Sequence, residues 1–210
     1  MYDVNMSNER DYKNRSDEEL VILAKNRDQF VFRILVERYI NKIYRFARSY
    51  NISSDDADDI AQETFIKSWK KLQTFDPTFK FQTWLFTIAR NTILDKLRKN
   101  KSLPFSFFEN TESEFYSSNP IEVVADSEVL ADEIFDKTKD INKLQQLLTE
   151  LGSDERTIIV LHYEEELTFE EIGKILDKPM NTVKSLHRRS LIKLKEMLDN
   201  TSQNDLSKNS

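Results

Sequence analysis

Cysteine is absent from this 210-residue chain, and it holds two glycines, four prolines and two histidines. Each scarcity closes off a class of protein. Without cysteine there is neither a disulfide framework nor a thiolate metal site. So little glycine and proline leaves few tight turns, hairpins or bulges, and runs of Leu, Ile, Lys, Glu and Asp favour helix over strand. The sequence predicts an all-α protein, one domain of ordinary size or two small ones. No apolar run approaches the length that spans a bilayer, and the opening MYDVNMSNERDYKNR lacks the apolar core of a signal peptide. A cytoplasmic protein with no membrane insertion is expected.

The net charge of −6 would suit a protein that avoids nucleic acid, but it is unevenly placed. Residues 101–140 carry ten acids against three bases, so the remainder is close to neutral with local basic stripes.

Ser16-Asp17-Glu18-Glu19 is a capping box opening a helix with Leu20, Leu23 and Ala24 as its apolar positions. A longer amphipathic helix is expected over 29–49, with Phe30, Ile34, Leu35, Ile40, Ile43, Tyr44 and Ala47 at helical spacing. Ser53 or Ser54 caps a third helix, with Asp55 and Asp56 suited to its first turn; it runs to about Leu72. After a loop over 73–79 containing Pro77, a fourth covers about 81–99. Residues 101–140 read as a flexible acidic linker, although 126–140 has some helical character. Beyond it, 142–151 is predicted as a helix closed by Gly152 at its C-cap. Ser153 starts another, to about Tyr163. Thr168-Phe169-Glu170-Glu171 is a second capping box, leading a final helix pair. Residues 1–15 and 200–210 are expected to be disordered.

That final pair points to duplex DNA. Phe169, Ile172, Ile175 and Leu176 make one buried face, and Gly173 lets a second helix cross closely. Asp177-Lys178-Pro179 turns the chain in about three residues, as a helix-turn-helix requires. The second helix buries Val183, Leu186 or His187, Ser190 and Leu194, while Asn181, Thr182, Lys184, Ser185, Arg188 and Arg189 face outward. No acid occurs from Lys178 through Lys195, against six bases. Early polar residues of such a helix reach base edges and later cations grip phosphate.

Asp55, Asp56, Asp58, Asp59 and Glu63 place five carboxylates in under three turns. A metal site lacks the glycine and terminal glutamate of an EF-hand loop. A metal-dependent hydrolase would also need ligand histidines, and His162 and His187 are far away in sequence. An acid/base pair, a solvated acidic face and a docking surface with Phe65 and Trp69 as apolar anchors remain open. Charge then inverts: Lys80 to Lys101 holds six bases and one acid, Asp95, amid Phe75, Phe79, Phe81, Trp84 and Phe86. Aromatic faces beside a basic groove suit unstacked single-stranded bases. Trp84, Leu85 and Ile88 are expected in the core, Phe75 and Phe79 exposed.

DDADDIAQETFIKSW followed by FKFQTWLFTIARNTILDKLRK resembles the second conserved region of bacterial RNA polymerase sigma factors of the extracytoplasmic-function type. TFEEIGKILDKPMNTVKSLHRRSLIKL resembles their fourth. The resemblance covers 16–100 as a region 2 domain and 141–199 as a region 4 domain, joined by the linker 101–140. It implies a promoter-specificity subunit without catalysis or cofactor. Core RNA polymerase, promoter DNA and an anti-sigma factor would be its partners. Asp58, Asp59, Gln62, Glu63, Phe65 and Trp69 would dock the polymerase. Phe75, Phe79, Lys80, Gln82, Thr83, Arg90, Asn91 and Arg98 would engage the −10 element as its strand is melted and flipped. Asn181, Thr182, Lys184, Ser185, Arg188 and Arg189 would contact the −35 element. The linker would thread toward the RNA exit path. The family commonly has Arg-Leu after TVKS, where Leu186-His187 stand here, and a basic residue where Leu191 stands. No additional domain is expected after the fourth region, which argues against variants regulated by a C-terminal extension. A stand-alone helix-turn-helix regulator is the alternative; it predicts an upstream βα receiver pattern, and none is visible.

Overall fold

A computed structural model describes residues 12–26, 28–99, 130, 131, 134 and 141–207. Among the described residues there is no strand. The helices are α1 (Asp17–Ala24), α2 (Gln29–Arg48), α3 (Ser54–Lys71), α4 (Phe81–Lys99), α5 (Ile141–Thr149), α6 (Ser153–Tyr163), α7 (Phe169–Leu176) and α8 (Met180–Ser207), with a 3₁₀ turn at Leu72–Thr74. They fall into two compact units, α1–α4 and α5–α8, and the protein is all-α. Most of the predicted linker, including its flexibility and path, lies outside the described residues. Within it Leu130, Ala131 and Ile134 are helical, and Ala131 and Ile134 are buried.

In the first unit the three consecutive acids of α1 do different work. Glu19 completes the capping box: its backbone N–H donates to Ser16 Oγ, and its carboxylate accepts from the Ser16 N–H. Asp17 accepts from Arg38 and Tyr39 of α2. Burial and this neighbouring carboxylate push the Tyr39 phenol well above its ordinary range. Glu18 reaches α4, where it accepts from the Phe81 N–H at 3.1 Å. Arg38 also donates to the Lys13 and Arg15 carbonyls at 2.9 Å. Residues 12–15 are thereby tied to α2, contrary to the expected disorder; 1–11 lie outside the described residues.

The core of this unit is aromatic. Phe46, Phe81 and Phe86 are fully buried together with Leu35, Ile43, Ile60, Leu85 and Ile93. Phe46 meets Phe86 edge-on at 5.3 Å and Tyr39 meets Phe81 at 5.7 Å. The buried stripe of α2 is Val31, Phe32, Ile34, Leu35, Tyr39, Ile43, Phe46 and Ala47. Phe30, Ile40 and Tyr44, predicted inward, are half-buried; the helix is rotated so that Phe32, Tyr39 and Phe46 are its inward aromatics. On α1 it is Val21, rather than Leu23, that joins Leu20 and Ala24 in the core. Ser53 caps α3 by accepting from the Asp56 N–H.

In the second unit α8 packs on α5, α6 and α7. Gly152 does not close α5. It has φ −60° and ψ 160° and is the N-cap of α6, with its N–H donating to Glu155. The carbonyls at the end of α5 are met instead by Arg156, 3% exposed, which donates to Leu148 (2.6 Å), Thr149 (2.6 Å) and Leu151 (2.9 Å). A guanidinium that answers these C-terminal carbonyls leaves no need for a left-handed glycine. α8 continues without interruption through Ser207. The expected fraying from Asn200 is not seen, because no glycine or proline breaks the helix there.

Candidate nucleic-acid interface

The predicted helix-turn-helix forms as drawn. Thr168 caps α7 by accepting from the Glu171 N–H, and the Glu171 carboxylate accepts from the Thr168 N–H at 2.8 Å. Asp177 ends α7 in the left-handed conformation at φ 53°, a role its short polar side chain tolerates. Gly173 has a different purpose from the one expected. A Cβ there would sit 2.7 Å from the Lys178 carbonyl oxygen, whereas the nearest atom of α8's Val183 is 3.8 Å away. The missing side chain makes room for the turn itself, and the Lys178 N–H closes that turn on the Gly173 carbonyl at 2.9 Å.

On α8, Val183, Leu186, His187, Ser190, Leu191 and Leu194 are buried. Asn181, Ser185 and Arg189 are exposed, and Thr182, Lys184 and Arg188 half-buried, so the six predicted −35 residues share the outward side. The Ser185 hydroxyl donates to the Asn181 carbonyl at 3.0 Å. Met180, 44% exposed, stands at the start of this face; nothing in the charge pattern marked it. Farther along, Lys193 donates to the Glu150 carbonyl at the surface and pairs with Glu155.

Beneath this helix the chain's two histidines meet. His162 stacks on Phe169 at 4.4 Å and lies 5.2 Å from His187. His187 is bracketed by Phe169 (4.9 Å) and Tyr163 (5.6 Å), and its Nε2 pairs with the Tyr163 hydroxyl at 3.0 Å. Burial, and secondarily His162, pushes His187 down to about 4. Both Leu186 and His187 thus face the core, and the departure from Arg-Leu falls on packing rather than on the DNA-facing side.

In the first unit the predicted −10 residues separate. Phe79 is 47% exposed, and Lys80, Asn91 and Arg98 are exposed. Phe75 and Thr83 are not: they are 2% and 6% exposed. Phe75 was predicted outward from its loop position, but its ring packs at 5.2 Å on Trp84 and 6.0 Å on Phe81, held by the Lys25 ammonium donating to its carbonyl at 2.7 Å. Thr83 points into the bundle from the inner side of α4. Gln82 and Arg90 are half-buried. Asn91 and Arg98 open onto a groove of about 530 Å³ between α3 and α4, which Lys67, Lys71, Trp84 and Thr87 also line. Trp84, predicted as core, is half-buried there. Sequence reasoning missed these four, although Trp84, Thr87, Asn91 and Arg98 recur at one helical face.

The acidic run divides too. Asp56 pairs with Lys96 of α4 at 2.7 Å; that bond, with a smaller one from Ser53, lowers its carboxyl below the usual range and raises Lys96. Asp58, Asp59, Gln62 and Glu63 are exposed, with Ile66, 54% exposed, one turn beyond. Phe65, proposed as an anchor, is 6% exposed and edge-on to Phe32 at 6.4 Å. Trp69 is half-buried against Phe32 at 4.9 Å. The apolar member of the outward face is therefore Ile66, a position the aromatics overshadowed in the sequence. Among the described residues, no group of three or more His, Asp or Glu side chains is placed to hold a metal ion, and no helix is long and apolar enough to cross a membrane.

Comparison with known proteins agrees with this architecture. The model of Sigma-70 region 2 matches residues 35–103, and that of Sigma-70, region 4 matches 147–196. The ECF RNA polymerase sigma factor SigW of Bacillus subtilis (strain 168) is 37% identical over 169 residues, covering 79% of this chain and 88% of its own. Among solved structures, CnrH in complex with the cytosolic domain of CnrY has a TM-score of 0.65 at 24% identity, covering 89% of this chain and 99% of that one. The sigma factor RpoE in complex with the anti-sigma factor NepR from Bartonella quintana has 0.58 at 22%, covering 80% and 96%. These two show likeness of fold. An acid-faced helical bundle followed in the chain by a capped helix-turn-helix, matched by both family models and by a relative of this identity and coverage, places the chain in the extracytoplasmic-function (ECF) RNA polymerase sigma factors.

Proposed function

We infer that this sigma factor grips promoter DNA at two points, with residues 16–100 acting as the region 2 domain and 141–199 as the region 4 domain. The observation that carries the inference is the outward side of α8, where Asn181, Thr182, Lys184, Ser185, Arg188 and Arg189 lie together over a buried apolar face. Such a helix reads −35 duplex from the major groove, its early polar side chains on base edges and its arginines on phosphate. In the first unit Phe79, Lys80, Asn91 and Arg98, with Lys67, Lys71 and Trp84 along the groove, receive the melted −10 strand. Aromatic and cationic groups suit unstacked bases and their phosphates. Asp58, Asp59, Gln62, Glu63 and Ile66 form the face that docks on core polymerase, an apolar contact within a ring of charge.

The chain acts in the cytoplasm as a binding subunit, with no cofactor and no catalysis of its own. An anti-sigma factor is its inferred regulator, since a neighbour in fold was solved with one. The test is transcription in vitro with core polymerase. Addition of this protein yields promoter-specific starts, and Arg188→Ala lowers −35-dependent initiation while core binding is kept. Absence of specific starts together with failure to bind core would overturn the inference.

A further inference from the structure

The loop between α3 and α4 exposes every residue from Asp76 to Lys80. Its interior is ordered by Asp76, whose carboxylate accepts from the Thr78 N–H (2.9 Å) and hydroxyl (2.8 Å), and whose carbonyl accepts from the Phe79 N–H (3.1 Å). The loop's ends are pinned by α1 and by Lys25, the C-cap of that helix. At the entry the Lys25 ammonium donates to the Phe75 carbonyl at 2.7 Å, and the Gln73 amide donates to the Lys25 carbonyl at 2.5 Å. At the exit Glu18 accepts from the Phe81 N–H at 3.1 Å. The carboxylate is a cap supplied from another helix, at the end of α4 where the macrodipole favours negative charge. α1 is itself anchored by its capping box and by Asp17 on α2.

We propose that Glu18 and Lys25 are positioning residues for the −10 loop, setting where Phe79 and Lys80 stand before DNA arrives. Both precede residue 35, where the region 2 match begins. A loop held at both ends loses less freedom on binding than one that must be ordered by the DNA. The proposal rests on the inferred −10 role of this loop.

The test uses holoenzyme assembled from core polymerase and the full chain, with a fork template whose −10 strand is single-stranded. The double variant Glu18→Ala/Lys25→Met is expected to bind the fork about tenfold more weakly, with unchanged core affinity. Glu18→Gln/Lys25→Arg, which keeps the acceptor and the cation, restores fork binding. Equal fork binding by wild type and the alanine/methionine variant, while Lys80→Ala binds poorly, would overturn the positioning role and leave the −10 loop standing. No effect from Phe79→Ala and Lys80→Ala would remove both. A parallel loss of core affinity and melting temperature would reduce α1 to a structural brace and equally overturn the proposal.

Discussion

Acid should loosen the second unit through His187. The imidazole is 3% exposed and pushed down to about 4 by burial, so the folded chain binds its proton more weakly than the unfolded one. Above the ordinary histidine value of about 6.5 the ring is neutral in both states and pH has no effect through it. As pH falls below that value the unfolded chain takes up the proton while the folded chain does not. Stability then drops until the folded pKa is reached. The linkage slope of about 1.4 kcal/mol per pH unit gives a loss of about 2 kcal/mol between pH 7.5 and pH 5. His187→Leu fills the same pocket without a titrating group and should lack that component. Urea unfolding followed by far-UV circular dichroism measures the difference between the two proteins. Tryptophan fluorescence supplies a control, since Trp69 and Trp84, the only tryptophans, both belong to the first unit. The dichroism midpoints of wild type and variant should diverge on acidification and the fluorescence midpoints should not. Parallel pH dependence in the dichroism would mean that His187 is not held neutral in the fold.

Three other substitutions separate effects that the sequence alone would merge. Gly173→Ala, which in an ordinary helix interior gains about 1 kcal/mol, should here cost about 1–3 kcal/mol. The new methyl would meet the Lys178 carbonyl at 2.7 Å, and a rise in thermal midpoint would contradict this. Arg156→Met leaves the carbonyls of Thr149 and Leu151 without the guanidinium donor and that of Leu148 with only the Leu151 N–H at 3.3 Å. It should cost about 3 kcal/mol or more in urea unfolding, at about 1–3 kcal/mol for each buried group left unmet; a change under about 1 kcal/mol would show that water replaces the guanidinium. Phe75→Ala should destabilise the first unit by about 3–5 kcal/mol, whereas Phe79→Ala should leave stability within about 0.5 kcal/mol and lower the yield of open complexes. Equal melts for the two would contradict the burial that distinguishes them.

Features of local origin were legible in the sequence. Capping boxes at Ser16 and Thr168 and a serine cap at Ser53 or Ser54, which the structure places at Ser53, rest on interactions within a few residues. What could not be read depended on distant partners. Phe75 and Phe79 are chemically alike and four residues apart; what buries one of them is packing of its ring on Phe81 and Trp84, with its carbonyl held by a lysine 50 residues upstream. Gly152 looked like a C-cap because the arginine that makes one unnecessary lies on the following helix. Phe65 and Trp69 drew the eye as anchors, while Ile66 between them holds the exposed position. Helical periodicity fixes which residues share a face, but the identity of the outward face depends on where neighbouring helices pack.

The uneven charge has a consequence for how the two inferred DNA contacts depend on each other. Of the six bases between Lys178 and Lys195, Lys178 is paired with Asp154 and Lys193 with Glu155. On the outward side of α8 the inferred −35 set contributes three cations, Lys184, Arg188 and Arg189. Three phosphate contacts correspond to a salt slope of about −2.7, shallow for a protein that must find its site unaided. In the first unit Lys96 is likewise engaged by Asp56, and the exposed acids of α3 repel duplex DNA. A modest electrostatic grip at each end, on a chain with net charge −6, makes neither unit sufficient alone. When both ends are carried on one polymerase, the second contact forms at the high effective concentration that tethering provides. Specificity then comes from requiring both elements at the correct spacing, and the weakness of each grip is what enforces that requirement.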